Sequence, residues 1–193
     1  MLSLGPKPSP ISEFLNQRGY SVIEYNDLID TLFLKKQDID FAISYRYRHI
    51  IRPEIITYLD GKIINLHISC LPWNKGSDPN LWSFLEDTPK GVTIHYVDSG
   101  IDTGDIIVQK QVVFDEEKET LSSTYDILNN EIVQLLKDNW KFIIRGEGPR
   151  IKQKGTGTVH NSRDKEPYQY LLAEKGWDTP VMNIKGLALP KRD

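Results

Sequence analysis

In its first half the chain alternates short apolar runs with helix-like stripes. Met1 to Leu4 reads as a truncated first strand, stopped by Gly5-Pro6-Lys7-Pro8. Ser9 is placed to cap a helix that has Pro10 at its first position and Ile11, Phe14 and Leu15 on one face. Tyr20 to Tyr25 and Asp40 to Tyr45 read as buried strands, and Pro53 opens a short helix over Ile55 to Leu59. Ile63 to Ser69 is the next strand and Pro79 to Leu85 the next helix, after which Gly91 to Val97 and Ile106 to Phe114 complete a sheet. Strands and helices taken in turn predict an α/β fold with a mainly parallel, twisted sheet and flanking helices.

From Leu121 the apolar positions change period. Leu121, Tyr125, Leu128, Ile132, Leu135, Leu136, Trp140 and Ile143 follow steps of three and four, the pattern of one long amphipathic helix over about 121–144. Gly146-Glu147-Gly148-Pro149 ends it. The tail, about 146–193, is polar and loop-like, with a last short helix expected over Pro167 to Lys175. It is too short for a second domain, so a single domain over 1–193 is expected, with the tail wrapping back onto it.

Composition narrows the class. Of 193 residues, 24 are basic and 27 acidic, a formal charge of −3 that argues against a general nucleic-acid binder. The lone cysteine, Cys70, excludes an internal disulfide and reads as a small buried hydrophobe. The N-terminus lacks the apolar core of a signal peptide, and no run approaches the roughly 20 apolar residues of a membrane span. A cytoplasmic protein with no membrane partner is expected, and a homodimer is compatible with these features.

The chemistry concentrates in Asn65-Leu66-His67-Ile68-Ser69-Cys70-Leu71-Pro72-Trp73-Asn74-Lys75-Gly76. Asn65, His67 and Ser69 alternate at the end of an apolar strand, so a period of two sends all three to one face. The carboxyl end of a parallel strand is where open α/β sheets bind ligands. A second segment, Gly91 to Asp105, is a strand followed by a glycine-bracketed acidic loop holding Asp98, Asp102 and Asp105. A carboxylate brought from there beside His67 would fix the imidazole tautomer and raise its basicity. On this reading His95 packs or hydrogen-bonds locally, Ser69 is a structural hydrogen-bonder, and no metal site is expected.

Asn-x-His-x-Ser-x-x-Pro, then a Gly-Val-Thr strand, then Asp-x-Gly-Asp-Ile-Ile resembles the formyltransferases that use N10-formyltetrahydrofolate. The match covers about Tyr45 to Val112. Ile68 and Cys70 depart from the family's usual Pro and Leu at positions between the chemical ones. The resemblance implies a Rossmann-like formyltransferase fold, a formyl-folate co-substrate, and Asn65, His67 and Asp102 as the catalytic trio. It also implies folate contacts at Arg48, Ile50, Ile51, Ser99 and Gly100. A substrate amine would attack the formyl carbon, and Asn65 and protonated His67 would stabilise the oxyanion at about 3 kcal/mol per donor. Asp102 would hold His67 and take the amine proton directly or through water; whether His67 serves as base or as oxyanion partner is left open by the residues.

Within that family the surrounding runs look more like amino-sugar formyltransferases, in particular the compact type that formylates the 4-amine of a UDP-linked dideoxy sugar on the way to pseudaminic-acid-type sugars. Lys7, Trp73 and Lys75 would then meet the nucleotide sugar. A tRNA acceptor is not expected, because it comes in this family with a further C-terminal domain and a basic surface, and fewer than 80 residues follow Phe114. Alternatives are a phosphoribosylglycinamide-type or peptide-synthetase-type formyltransferase, or a formyltetrahydrofolate hydrolase. The free-standing chain ending in Leu187 to Asp193 favours the sugar enzyme. The expected partners are the folate and the nucleotide sugar.

Overall fold

The computed structural model describes residues 1–188, so the end of the tail, 189–193, lies outside the described residues. The elements run β1 (Leu2–Leu4), α1 (Pro10–Asn16), β2 (Ile23–Tyr25), α2 (Thr31–Lys36), β3 (Ala42–Tyr45), α3 (Pro53–Tyr58) and β4 (Ile63–His67). They continue with β5 (Lys75–Gly76), α4 (Pro79–Leu85), β6 (Gly91–Tyr96), β7 (Ile106–Gln111), α5 (Leu121–Ile144) and β8 (Val159–His160). Six strands form one sheet in the order β2-β1-β3-β4-β6-β7. The first four are parallel and β6 runs antiparallel to β4. This is the mainly parallel α/β architecture that the strand–helix alternation predicts.

The chain divides into two compact units, each drawn from three stretches. The first comprises 1–67, 93–108 and 132–153. Its helix α1 begins as the sequence implies, with Ser9 Oγ accepting from the Ile11 amide at 3.3 Å and Pro10 in the first turn. Such a cap is worth about 1 kcal/mol. One face of the sheet rests on Leu2, Leu4, Leu34, Ala42, Ile55 and Ile63, all buried. Trp140 on α5 is 2% exposed and receives Phe14, Tyr20 and Phe41 edge-on at ring separations of 5.6–6.4 Å. Edge-on rings at that spacing add to the energy of area burial.

The second unit comprises 68–92, 109–131 and the chain from 154 onward. Its core is Leu81, Trp82, Phe84, Leu85, Leu121, Tyr168, Val181 and Ile184. Strands β5 and β8 pair in parallel, and the amides of Gly186 and Ala188 donate to the carbonyls of Phe84 and Leu85. Trp82 stacks on His160 with centroids 3.7 Å apart and planes 7° from parallel.

Several boundaries differ from the expectation. Helix α2 was not foreseen: Leu32, Phe33 and Leu34 are consecutive rather than striped and only Leu34 is buried, while Asp30 Oδ1 caps the helix by accepting from the Phe33 amide at 2.7 Å. The strand expected over Tyr20 to Tyr25 shrinks to half-buried β2, and β7 ends at Gln111. The helix expected over Pro167 to Lys175 is a 3-10 helix at Glu166–Leu172, where only Tyr168 is buried, so no stripe holds an α-helix there. Strand β4 stops at His67, two residues before Ser69. Ser69 Oγ instead donates to the Trp73 carbonyl at 2.7 Å, closing a turn that removes it from the period-two register with Asn65 and His67.

Candidate active site

Strand β4 supplies two polar side chains on the same face at its carboxyl end, half-buried Asn65 and His67, which is 6% exposed. Antiparallel pairing of β4 with β6 sets Asn65 opposite His95 and His67 opposite Thr93. After β6 the chain makes a loop over 97–104, closed by the Tyr96 amide donating to the Asp105 carbonyl at 2.9 Å. Asp98 Oδ1 accepts from the Gly100 amide at 3.1 Å and from Thr103 Oγ1 at 2.6 Å, pinning the loop tip. Asp102 takes a left-handed backbone with φ of 51°, a region in which Asp and Asn are enriched among non-glycine residues. Gly104 lies so close to the Tyr96 carbonyl that a Cβ there would collide with its oxygen. The loop thereby returns the Asp102 carboxylate to the strand ends.

Four side chains of the first unit meet. Asn65 Nδ2 donates to Asp102 Oδ1 at 3.0 Å, and Asp102 Oδ2 lies 3.6 Å from His67 Nδ1. His95 Nε2 lies 3.2 Å from Asn65 Nδ2 and 3.4 Å from Asp102 Oδ1. His95 Nδ1 is 2.8 Å from the Tyr96 carbonyl oxygen, which can only accept, so Nδ1 carries the hydrogen. This network assigns His95 as the Nδ1–H tautomer, whose Nε2 lone pair takes the second Asn65 amide hydrogen. The Asp102 side chain is 14% exposed and the His67 and His95 side chains 7% and 2%, so the carboxylate charge meets its neighbours in a poorly screened environment.

Of the residues singled out in the sequence, Asn65, His67 and Asp102 come together in this cluster. Ser99 and Gly100 lie exposed on the loop that carries Asp102. Arg48 and Ile50 are exposed on the loop after β3, Ile50 to 78%, while Ile51 packs against the core beneath β1 and β3. In the same loop Tyr47 donates from its hydroxyl to the Asp27 carbonyl at 2.6 Å, and partial burial pushes its phenol above the ordinary value. Lys7 is exposed at an open groove of about 820 Å³ that Ser9, Ser12, Asn16 and Glu24 also line. Trp73 and Lys75 belong to the second unit, where Trp73 is 37% exposed and Lys75 Nζ donates to the Thr156 carbonyl at 3.1 Å. Cys70 is buried, and burial raises its thiol above the usual value.

One residue of the cluster, and one that holds its loop, were not identified from sequence. His95 makes the local hydrogen bond expected of it and also reaches Asn65 and Asp102. Gln153, in the segment read as structureless tail, donates from Nε2 to the carbonyls of Asp102 and Gly104 at 2.8 and 2.9 Å.

A buried imidazole, a largely buried carboxylate and a half-buried carboxamide converge at the rim of a mainly parallel sheet, groups suited to acyl-type transfer without a nucleophilic side chain. The formyl transferase family model matches residues 9–138, well over half of the chain, and the chain belongs to that family. It is 49% identical to the formyltransferase PseJ from Anoxybacillus kamchatkensis, with a TM-score of 0.92 over 97% of this chain and 98% of that one. That structure is a complex with UDP-4,6-dideoxy-4-formamido-L-AltNAc and tetrahydrofolate. A 4-N formyltransferase from Francisella tularensis, 20% identical, shares the fold over 99% of this chain and 88% of its own, with a TM-score of 0.76. The methionyl-tRNA formyltransferase of Pelotomaculum thermopropionicum is 31% identical over 152 residues, 77% of this chain and 48% of that protein. The chain spans about half the length of the curated relatives it matches. Among the described residues no helix is long and apolar enough to cross a membrane.

Proposed function

We propose that this chain transfers the formyl group of N10-formyltetrahydrofolate to the amine of a nucleotide-linked 4-amino-4,6-dideoxysugar. The observation that carries the reading is the 49% identity, over nearly the whole of both chains, to a formyltransferase whose structure holds a 4-formamido sugar nucleotide and tetrahydrofolate. Those are the two products such a transfer leaves. The cluster of Asn65, His67, His95 and Asp102 supplies groups suited to the step.

In the proposed reaction the amine nitrogen bonds to the formyl carbon and the carbonyl oxygen gathers negative charge. His67 turns Nδ1 to Asp102, so Nε2 is its polar atom for that oxygen. Asn65 joins it by redirecting one of the amide hydrogens it gives to Asp102 and His95. Asp102 stabilises the imidazolium that forms when His67 Nε2 receives the proton shed by the attacking amine. Collapse of the tetrahedral intermediate breaks the bond from the formyl carbon to N10, which takes up a proton. Arg48, Ile50, Ile51, Ser99 and Gly100 are proposed to contact the folate, and Lys7, Trp73 and Lys75 the nucleotide sugar. The whole chain acts as one catalytic domain in the cytoplasm, and its product feeds a pseudaminic-acid-type sugar.

The test is incubation with N10-formyltetrahydrofolate and UDP- or dTDP-linked 4-amino-4,6-dideoxysugars, followed by mass spectrometry of the sugar nucleotide. Folate-dependent formylation of one of them is expected. Product from none overturns the sugar assignment, and formate release without an acceptor supports a hydrolase instead.

A further inference from the structure

Beyond the cluster, the segment that follows α5 lies along the loop carrying Asp102. Ile151 and Ile106 exchange backbone hydrogen bonds at 2.8 and 3.0 Å, the Arg150 guanidinium sits 3.7 Å over the Tyr96 ring, and Lys152 Nζ is 2.9 Å from Asp105 Oδ1. At its end Gln153 places both amide hydrogens on the carbonyls of Asp102 and Gly104. Its Oε1 is buried with no hydrogen-bond partner among the described residues. A buried amide with an orphaned acceptor is costly, and reversing the amide would set that oxygen against two carbonyl oxygens. The orientation is therefore dictated by the loop. Asp98 holds the tip through Gly100 and Thr103, the Tyr96–Asp105 bond holds the base, and Gln153 grips the carbonyls between.

We infer that residues 148–153 form a strap that sets the position of the Asp102 carboxylate, with Gln153 as a positioning residue for formyl transfer. Gln153 touches no reacting atom; it fixes the carbonyls on either side of Thr103, and through them the left-handed backbone at Asp102 that aims the carboxylate at His67. The inference rests on Asp102 serving in the proposed reaction.

Gln153→Met keeps the length and loses the donor, while Gln153→Glu keeps the shape and turns the donor into an acceptor. Steady-state kinetics should show kcat falling roughly tenfold for the first and further for the second, with KM for donor and acceptor held within about twofold. Gln153→Asn, one methylene short, is the milder variant if the others fail to fold. A kcat within about twofold of wild type in a folded Gln153 variant, or a loss confined to KM, overturns the inference. Amide hydrogen exchange is read in parallel. Exchange at Asp102, Thr103 and Gly104 should quicken in Gln153→Met while β1, β3 and β4 keep wild-type protection. Unchanged exchange in the loop overturns the strap even if the wild type forms no formyl sugar, a result that by itself removes only the functional reading.

Discussion

Replacing Asp102 by Asn isolates the charge at the centre of the cluster. The backbone there has a φ of 51°, which Asn adopts as readily as Asp, so the loop keeps its course. The substituted amide still offers an oxygen to Asn65 Nδ2, 3.0 Å away in the native protein. What disappears is the negative charge 3.6 Å from His67 Nδ1. At an effective dielectric of about 20, two unit charges at that distance attract by roughly 4–5 kcal/mol. The Asp102 side chain is 14% exposed, and water offsets part of this. On the order of 2–3 kcal/mol then remains, or about thirtyfold to 160-fold in rate. In the proposed mechanism the attraction grows as the imidazolium develops, so the loss belongs in kcat and KM stays close to wild type. The assay is formyl transfer followed through tetrahydrofolate release, with circular dichroism to establish the fold. A folded variant with kcat within about threefold of wild type would show that the carboxylate charge is not coupled to the chemistry.

Three further outcomes follow from packing and titration. Trp140→Ala, which empties the site where three rings converge, should cost about 3–5 kcal/mol in urea unfolding; a loss under about 1 kcal/mol would mean the rings close over the gap. Native Cys70, buried and with its thiol raised by that burial, should react with a disulfide reagent at about pH 8 at least a hundredfold more slowly than in urea, and rapid stoichiometric labelling of folded protein would contradict its placement. The hydrogen bond from Lys90 holds Asp87 below the usual aspartate range. Its contribution to stability is therefore complete above about pH 4 and is lost as pH falls through the depressed value. Lys90→Met should flatten that acid limb by less than about 1 kcal/mol, since Asp87 is largely exposed, and an unaltered limb would count against the pairing.

Local signals were the legible part of this fold. A capping Ser followed by Pro announced α1, Pro53 and Pro79 announced α3 and α4, and an unbroken three–four stripe announced α5. Where the apolar residues formed no stripe, as in α2, or where only Tyr168 turned inward, as in the 3-10 helix at Glu166–Leu172, the pattern misled. In the site, alternation placed Asn65 and His67 together because both lie within β4, and it failed for Ser69 because the strand had ended. The role of His95 depends on register: it meets Asn65 only once β6 pairs antiparallel with β4, and no spacing along the chain encodes that. Gln153 is further removed still, since its partners are carbonyl oxygens, which leave no mark on residue identity. Asp30, whose side chain caps α2, was a sign of that helix that the apolar pattern alone did not supply.

The first unit draws on stretches far apart in the chain, and this bears on its birth at the ribosome. Asn65 and His67 are translated early and the Asp102 loop somewhat later, yet the glutamine that secures this loop follows the whole of α5. A nascent polypeptide halted before residue 153 carries every group of the cluster and lacks the clasp that steadies them. Shortened products of interrupted translation would carry the reactive groups without that hold, and full competence would arrive late in synthesis.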